Sequence, residues 1–174
     1  MSVIPVLKFI TNHPLTKNSR FKSICRFLKW QISSRLIPYP VVYPFIGNSS
    51  LIIWRGLTGA TGNLYVGLHE FEDMAFLLHL LQENDLFTDI GANIGSYTIL
   101  ASGHKKAQTI SFEPIPSTYQ TLKNNVAVNH IENKVKLLNI GLGSKPSVLK
   151  FTSGLDTVNH VVFGNEGKEA LLEV

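Results

Sequence analysis

Cysteine, charge and long apolar runs are all scarce in this 174-residue sequence, and each scarcity closes off a class of protein. A single cysteine, Cys25, excludes a disulfide framework and any cysteine-rich zinc or iron–sulfur site. Charged residues make up 16%, below the roughly 25% of an average globular chain. The 44% hydrophobic content nevertheless excludes a disordered tail or low-complexity linker. No apolar stretch approaches the roughly 20 residues of a spanning helix, and the densest, Met74 to Leu81, is interrupted by His79. The start has no charged segment ahead of an apolar run and no small-residue cleavage site, so a cytoplasmic location is expected.

Acid is missing altogether from the first part. Between Met1 and His69 there are eight Lys or Arg and no Asp or Glu, a net +8, whereas Glu70 to Val174 sums to −4. The chain reads as a basic accessory segment, residues 1–84, followed by a mildly acidic domain, residues 85–174. Within the first, Phe21 to Leu36 has the pattern of a basic amphipathic helix. Phe21, Ile24, Cys25, Leu28 and Ile32 form one stripe, and Lys22, Arg26 and Lys29 line another face. The expected use of that stripe is docking on the domain; peripheral contact with an anionic membrane through residues 21–36 is the alternative.

After Pro40 short β-like runs follow at Val41–Ile46, Ser50–Trp54 and Asn63–Val66. Gly56, Gly59 and Gly62 between the last two invite a phosphate-loop reading, but no helix is expected directly after them, so a hairpin or flap over a pocket is predicted. Glu70 to Gln82 reads as a helix opened by acids. Strands at Leu86–Ile90, Gln108–Phe112 and Lys134–Ile140 then alternate with helices at Ile94–Ser102 and Pro116–Asn129. That pattern predicts an α/β class with parallel pairing and right-handed crossovers. Ser147–Thr152 and Val158–Phe163 are expected to form a hairpin.

The chemistry concentrates at Leu86–Thr98. An acidic residue, Asp89, ends the first strand, a turn with Gly91 and Gly95 follows, and a helix starts at once. Amides near that helix start are suited to a polar ligand at the carboxyl edge of the sheet. Asn93 and Ser96 stand where a dinucleotide fingerprint needs glycine, and Asp89 would repel a pyrophosphate. A cation fits better, and S-adenosylmethionine carries a sulfonium and an amino group. Glu113, at the end of the second strand in Phe112-Glu-Pro114, is placed for the ribose hydroxyls. No metal-ligating set is read.

Asp89-Ile-Gly-Ala-Asn-Ile-Gly-Ser-Tyr-Thr98, Phe112-Glu-Pro114 and Leu122-Lys-Asn-Asn-Val-Ala-Val-Asn129 resemble the FkbM-type methyltransferases, as do Gly62-Asn-Leu-Tyr65 and Gly67-Leu-His-Glu70. The resemblance implies a Rossmann-like class I methyltransferase sheet and S-adenosylmethionine-dependent O-methylation of a small-molecule, glycan or lipid hydroxyl. It places Asp89, Gly91, Asn93 and Gly95 on the methionine side of the cofactor and Glu113 at the ribose, with Tyr65 and Glu70 reaching in from the front. His160 is the candidate general base. The family pattern continues with an Asp-Val-Glu-Gly-type stretch and further strands in the order 3-2-1-4-5-7-6. Only the front half of that sheet is found here. A truncated enzyme is therefore expected, its first strand an apolar edge open to an oligomer that completes the sheet. An inactive methyltransferase-like binding module is the competing reading. Specific nucleic-acid recognition is not expected, since no reader motif or Asn/Asp-Pro-Pro-aromatic motif is present.

Overall fold

A computed structural model describes residues 3–144 and the backbone of two strand segments, 150–152 and 171–173. The chain starts with α1 (Val3–Asn12), a helix the sequence pattern did not announce. Pro5 stands in its first turn, where a missing N–H breaks nothing, and the helix runs on to bury Ile10. A 3₁₀ turn at Pro14–Thr16 leads into α2 (Arg20–Leu36), close to its expected span.

The face that α2 buries is not the expected one. Ser23, Phe27, Trp30 and Ser34 point inward, while Phe21, Cys25, Leu28 and Ile32 point out and Ile24 is half-buried. The inner face carries the two large rings of Phe27 and Trp30, and the flanking serines let the helix come close. Phe27 meets Tyr65 edge-on with ring centroids 5.2 Å apart.

Strands β1 (Val41–Pro44) and β2 (Ser50–Ile53) fall in two of the expected β-like runs and pair antiparallel, with Val41 opposite Ile53 and Pro44 opposite Ser50. The glycine-rich segment is no flap, and residues 63–66 are no strand. Gly59, Gly62 and residues 63–66 all belong to α3 (Thr58–Val66), whose residues from Ala60 to Val66 are all buried. Glycine weakens an isolated helix, but burial on every side overrides that preference, and Gly62 gives the room. A Cβ there would lie 1.9 Å from the His69 ring nitrogen Nδ1. Gly67, with φ +96°, ends the helix.

Helix α4 (Phe71–Leu80) has Glu72 and Asp73 in its first turn, as the macrodipole favours. Three parallel strands follow in the order β3 (Leu86–Ile90), β4 (Gln108–Phe112), β5 (Val135–Leu138). Leu86 pairs with Gln108 and Thr109 with Val135. The β3–β4 crossover is α5 (Ser96–Thr98), which widens into a π-helical turn at Ile99–His104. The β4–β5 crossover is α6 (Pro116–Val128), with proline at its opening. Both crossovers step the same way along the sheet, so both helices lie on one face. On β3 the opposite face is open, with Leu86 and Ile90 exposed, and among the described residues no strand pairs with its outer edge. Strand β6 (Lys150–Thr152) pairs antiparallel with β7 (Leu171–Glu173); the run at 158–163, expected to form a hairpin with 147–152, lies outside the described residues.

The front of the chain is fastened to this sheet by α6. Asn125, fully buried, accepts the Ile52 amide hydrogen at 2.6 Å and donates to the Ile94 carbonyl at 2.7 Å. Asn129 accepts from the Ser50 amide and donates to the Ser50 carbonyl, both at 2.8 Å. One helix thus joins the β1–β2 pair to the loop after β3.

Candidate functional site

The loop from Gly91 to Gly95 lies at the carboxyl end of β3, where the ligands of open α/β sheets sit. Its shape comes from backbone that few side chains tolerate: Gly91 has φ +74°, Asn93 +51° and Gly95 +92°. The two glycines do different work. A Cβ on Gly95 would lie 2.4 Å from Leu122 Cδ1 of α6, so this glycine lets the helices pack. A Cβ on Gly91 would meet nothing within 4 Å, so that position faces open space.

The amides of the loop are largely occupied. Gly91 and Ala92 both donate to the Phe112 carbonyl at 2.9 Å, and Gly95 donates to Ala92 at 2.8 Å. The Asn93 amide donates to Glu113 Oε2 at 2.9 Å, and Ile115 donates to Oε1 at the same distance. Glu113 is 5% exposed, and burial raises its pKa while the two amides oppose the shift. Asp89 is similarly committed. The Thr98 hydroxyl donates to its Oδ2 at 2.5 Å, and the Ser111 hydroxyl completes the chain at 2.8 Å from Thr98. Burial pushes Asp89 up, with the Thr98 hydrogen bonds pulling it back. Glu113 thus holds the loop at Asn93, and Asp89 holds the helix that follows it at Thr98.

Above the loop is a cavity of about 230 Å³, walled by Gly91–Ile94, Ser96 and Tyr97 on one side and by Asn63, His69 and Glu70 on the other. The Tyr97 hydroxyl donates to Glu70 Oε2 at 2.7 Å, which orients that carboxylate. Tyr97 is itself shifted up, by burial first and then by Glu70. Asn63 reaches across to Ser96 at 3.3 Å and accepts the His69 amide at 2.7 Å. The described lining holds a carboxylate and no Lys or Arg.

A larger cavity, about 570 Å³, lies between α1, α2 and α3. Phe27, Trp30 and Tyr65 line it together with Arg35 and Arg55, and the described lining has no Asp or Glu. Among the described residues, His69 alone lines both cavities. Its Nδ1 is buried without a hydrogen-bond partner, and burial lowers its pKa against the pull of Glu70.

The structure therefore sorts the residues picked out by sequence. Gly91, Asn93 and Glu70 line the smaller cavity, while Asp89, Gly95 and Glu113 support the loop from behind. Tyr65 is not brought to the loop. Its ring packs on Phe27, and Gln31 donates to its hydroxyl at 3.2 Å in the larger cavity. His160 lies outside the described residues. Sequence reasoning missed His69, Asn63, Tyr97 and Asn125. Their signal was present, since each falls in a stretch already singled out, but spacing alone did not show which side chains turn inward.

Comparison with known proteins agrees with this architecture. Residues 63–165 match the family model described as "TRM5/TYW2 methyltransferase domain". The chain is similar to "Methyltransferase sdnD" of Sordaria araneosa, with 34% identity over 83 residues. That match takes in 47% of this chain and 32% of that protein, so the chain spans about a third of the curated relative it matches. Among solved structures it is similar to P. horikoshii TYW2 in complex with MeSAdo. The TM-score is 0.51 at 14% identity, over 78% of this chain and 53% of that one, a likeness of fold. The matched family region starts at Asn63 inside α3, so it takes in both walls of the smaller cavity, and the chain belongs to the TRM5/TYW2 methyltransferase domain family.

Proposed function

We propose that this chain binds S-adenosylmethionine at the loop after β3 and serves methyl transfer to a hydroxyl of a small molecule, glycan or lipid. One observation carries the reading: the open side of Gly91 faces a cavity that holds the Glu70 carboxylate and no cationic side chain. That donor set fits a sulfonium and an ammonium group. At about 230 Å³ the cavity is below the roughly 300–1,000 Å³ of sites for drug-sized ligands, so it suits the amino-acid end of the cofactor. The O-methyl assignment rests on the FkbM-type motifs.

When bound, S-adenosylmethionine supplies a methyl group already activated on sulfur. The residues of this chain orient and exchange protons around it. Glu70, held by Tyr97, attracts the positive charge. The loop backbone, held by Glu113 at Asn93, and the helix after it, held by Asp89 at Thr98, fix where the ligand lies. The aromatic cavity beyond His69 receives the acceptor, and its two arginines favour one with an anionic group. His69, kept neutral by burial and adjoining both cavities, takes the proton that the acceptor hydroxyl gives up.

Titration calorimetry with S-adenosylmethionine tests the first part. The wild type binds, Glu70→Gln binds at least tenfold more weakly, and Gly91→Val abolishes binding. A pure, folded wild type that takes up no cofactor would overturn the proposal. Methyl transfer to RNA is a second reading, favoured by the family match and by the +8 charge of the first 69 residues. Transfer of a labelled methyl group, assayed in parallel with hydroxyl acceptors and with transcribed RNA, separates the two.

A further inference from the structure

The outward face of α2 carries Phe21, Cys25, Leu28, Ile32 and Leu36. At 3.6 residues per turn these fall within an arc of about 80°, opposite the buried Ser23, Phe27, Trp30 and Ser34. Phe21 is 79% exposed, Ile32 63% and Leu36 76%. Basic side chains border this arc on both sides: Lys22 and Lys29 along one margin, Arg20 and Arg35 along the other. The first 69 residues contain no acidic side chain to offset them. The helix is about 25 Å long, its inner face is fixed to the protein, and its peptide groups are satisfied by its own turns. Among the described residues no helix is long and apolar enough to cross a membrane.

We propose that α2 is a membrane-surface helix, laying its apolar arc into the headgroup region of an anionic bilayer while Lys22, Lys29 and Arg20 meet lipid phosphates. The charge pattern selects this occupant. A second copy of the chain would set basic margins against basic margins, whereas an anionic bilayer matches apolar centre and cationic border together. The assignment stands apart from the methyl-transfer reading, since none of these apolar side chains lines the site.

The test uses the full chain and vesicles of phosphatidylglycerol with phosphatidylcholine, compared with phosphatidylcholine alone. Sedimentation with the anionic vesicles is expected, weakening as salt rises. The triple variant Phe21→Ser/Leu28→Ser/Ile32→Ser loses at least tenfold in partitioning, and so does Lys22→Glu/Lys29→Glu. Thermal melts of both variants should match the wild type, because every substituted side chain is exposed. Cys25, the sole cysteine and central to the arc, gives a second readout. A polarity-sensitive dye attached there shifts to the blue with anionic vesicles. Three results would overturn the proposal: no sedimentation of folded wild type, unchanged partitioning of the serine variant, or a lipid-free dimer that the serine variant dissolves.

Discussion

Helix α2 and strand β3 each leave a row of apolar side chains uncovered, and the two rows differ in kind. On α2 the backbone is complete: its amides and carbonyls bond within the helix, and the row is bordered by Lys and Arg. On β3, Leu86 and Ile90 are exposed as well, but among the described residues the outer edge of the strand meets no partner. The turn ahead of the strand carries Glu83 and Asp85. A helical row asks only for an apolar medium, whereas an open strand edge asks for another strand. The same division runs through the interior. The front buries histidines and aromatic rings around a large cavity, and the sheet buries carboxylates beneath a glycine loop.

The strongest way to break this comparison is to cut the joint between the two regions. Asn125→Ala leaves the Ile52 amide and the Ile94 carbonyl without their partner, one in the front hairpin and one in the loop. Each buried group left unpaired costs about 1–3 kcal/mol, so a loss of about 2–5 kcal/mol is expected in urea unfolding. A loss below about 1 kcal/mol would mean that the front and the sheet hold together without α6.

The next effect separates the two loop glycines. Both have positive φ, which charges any side chain a strain of about 1–3 kcal/mol, but only Gly95 also faces Leu122. Gly95→Ala should therefore destabilise more than Gly91→Ala in the same melt. Cofactor binding should rank them the other way, because Gly91 faces the cavity. Equal effects on both measurements would deny the two glycines separate jobs.

The strands of the sheet were legible because alternating apolar runs and turn glycines act locally. The structure places β3 and β4 at the residues expected and trims β5 by one or two at each end. The loop was legible for the same reason. What failed to show was set by packing between distant segments. Helix α3 contradicts its own glycines, since burial from all sides decides its conformation. The face of α2 was misjudged because the longer apolar stripe, from Phe21 to Ile32, reads as the buried one, whereas Phe27 and Trp30 face inward between serines. Asp89 and Glu113 were picked out as ligand groups, and the structure adds internal partners that spacing did not show: Thr98 for Asp89, and the Asn93 and Ile115 amides for Glu113. Spacing could not tell these uses apart, because either one puts a carboxylate at a strand end.

Acidity should pull the two regions in opposite directions. Burial lowers the pKa of His13 and His69 in the front, so the folded state prefers them neutral. Their contribution is whole above the unfolded value of 6.5 and is lost as pH falls below it. Asp89 and Glu113 are raised, so the folded state prefers them protonated. Their contribution is whole below the unfolded values of 3.8 and 4.5 and is lost as pH rises through the folded ones. Melting temperatures followed from pH 7 down to pH 4 should fall less steeply in His69→Gln and more steeply in Asp89→Asn, which removes the opposing titration. Parallel curves for the two variants would show that these groups do not set the dependence.

The smallest effect on stability is the one that bears most directly on the two uncovered rows. Leu28→Lys on α2 and Ile90→Lys on β3 both replace exposed side chains, so each should change the unfolding free energy by no more than about 0.5 kcal/mol. Their effects on association should part. A lysine on β3 discourages pairing with another chain through an edge that no described strand covers, so Ile90→Lys should reduce concentration-dependent light scattering. Leu28→Lys leaves that edge untouched and should scatter like the wild type, because a helical row offers no backbone partner. If Leu28→Lys alone suppressed the scattering, side-chain burial and not strand pairing would govern self-association, and the distinction between the two rows would collapse.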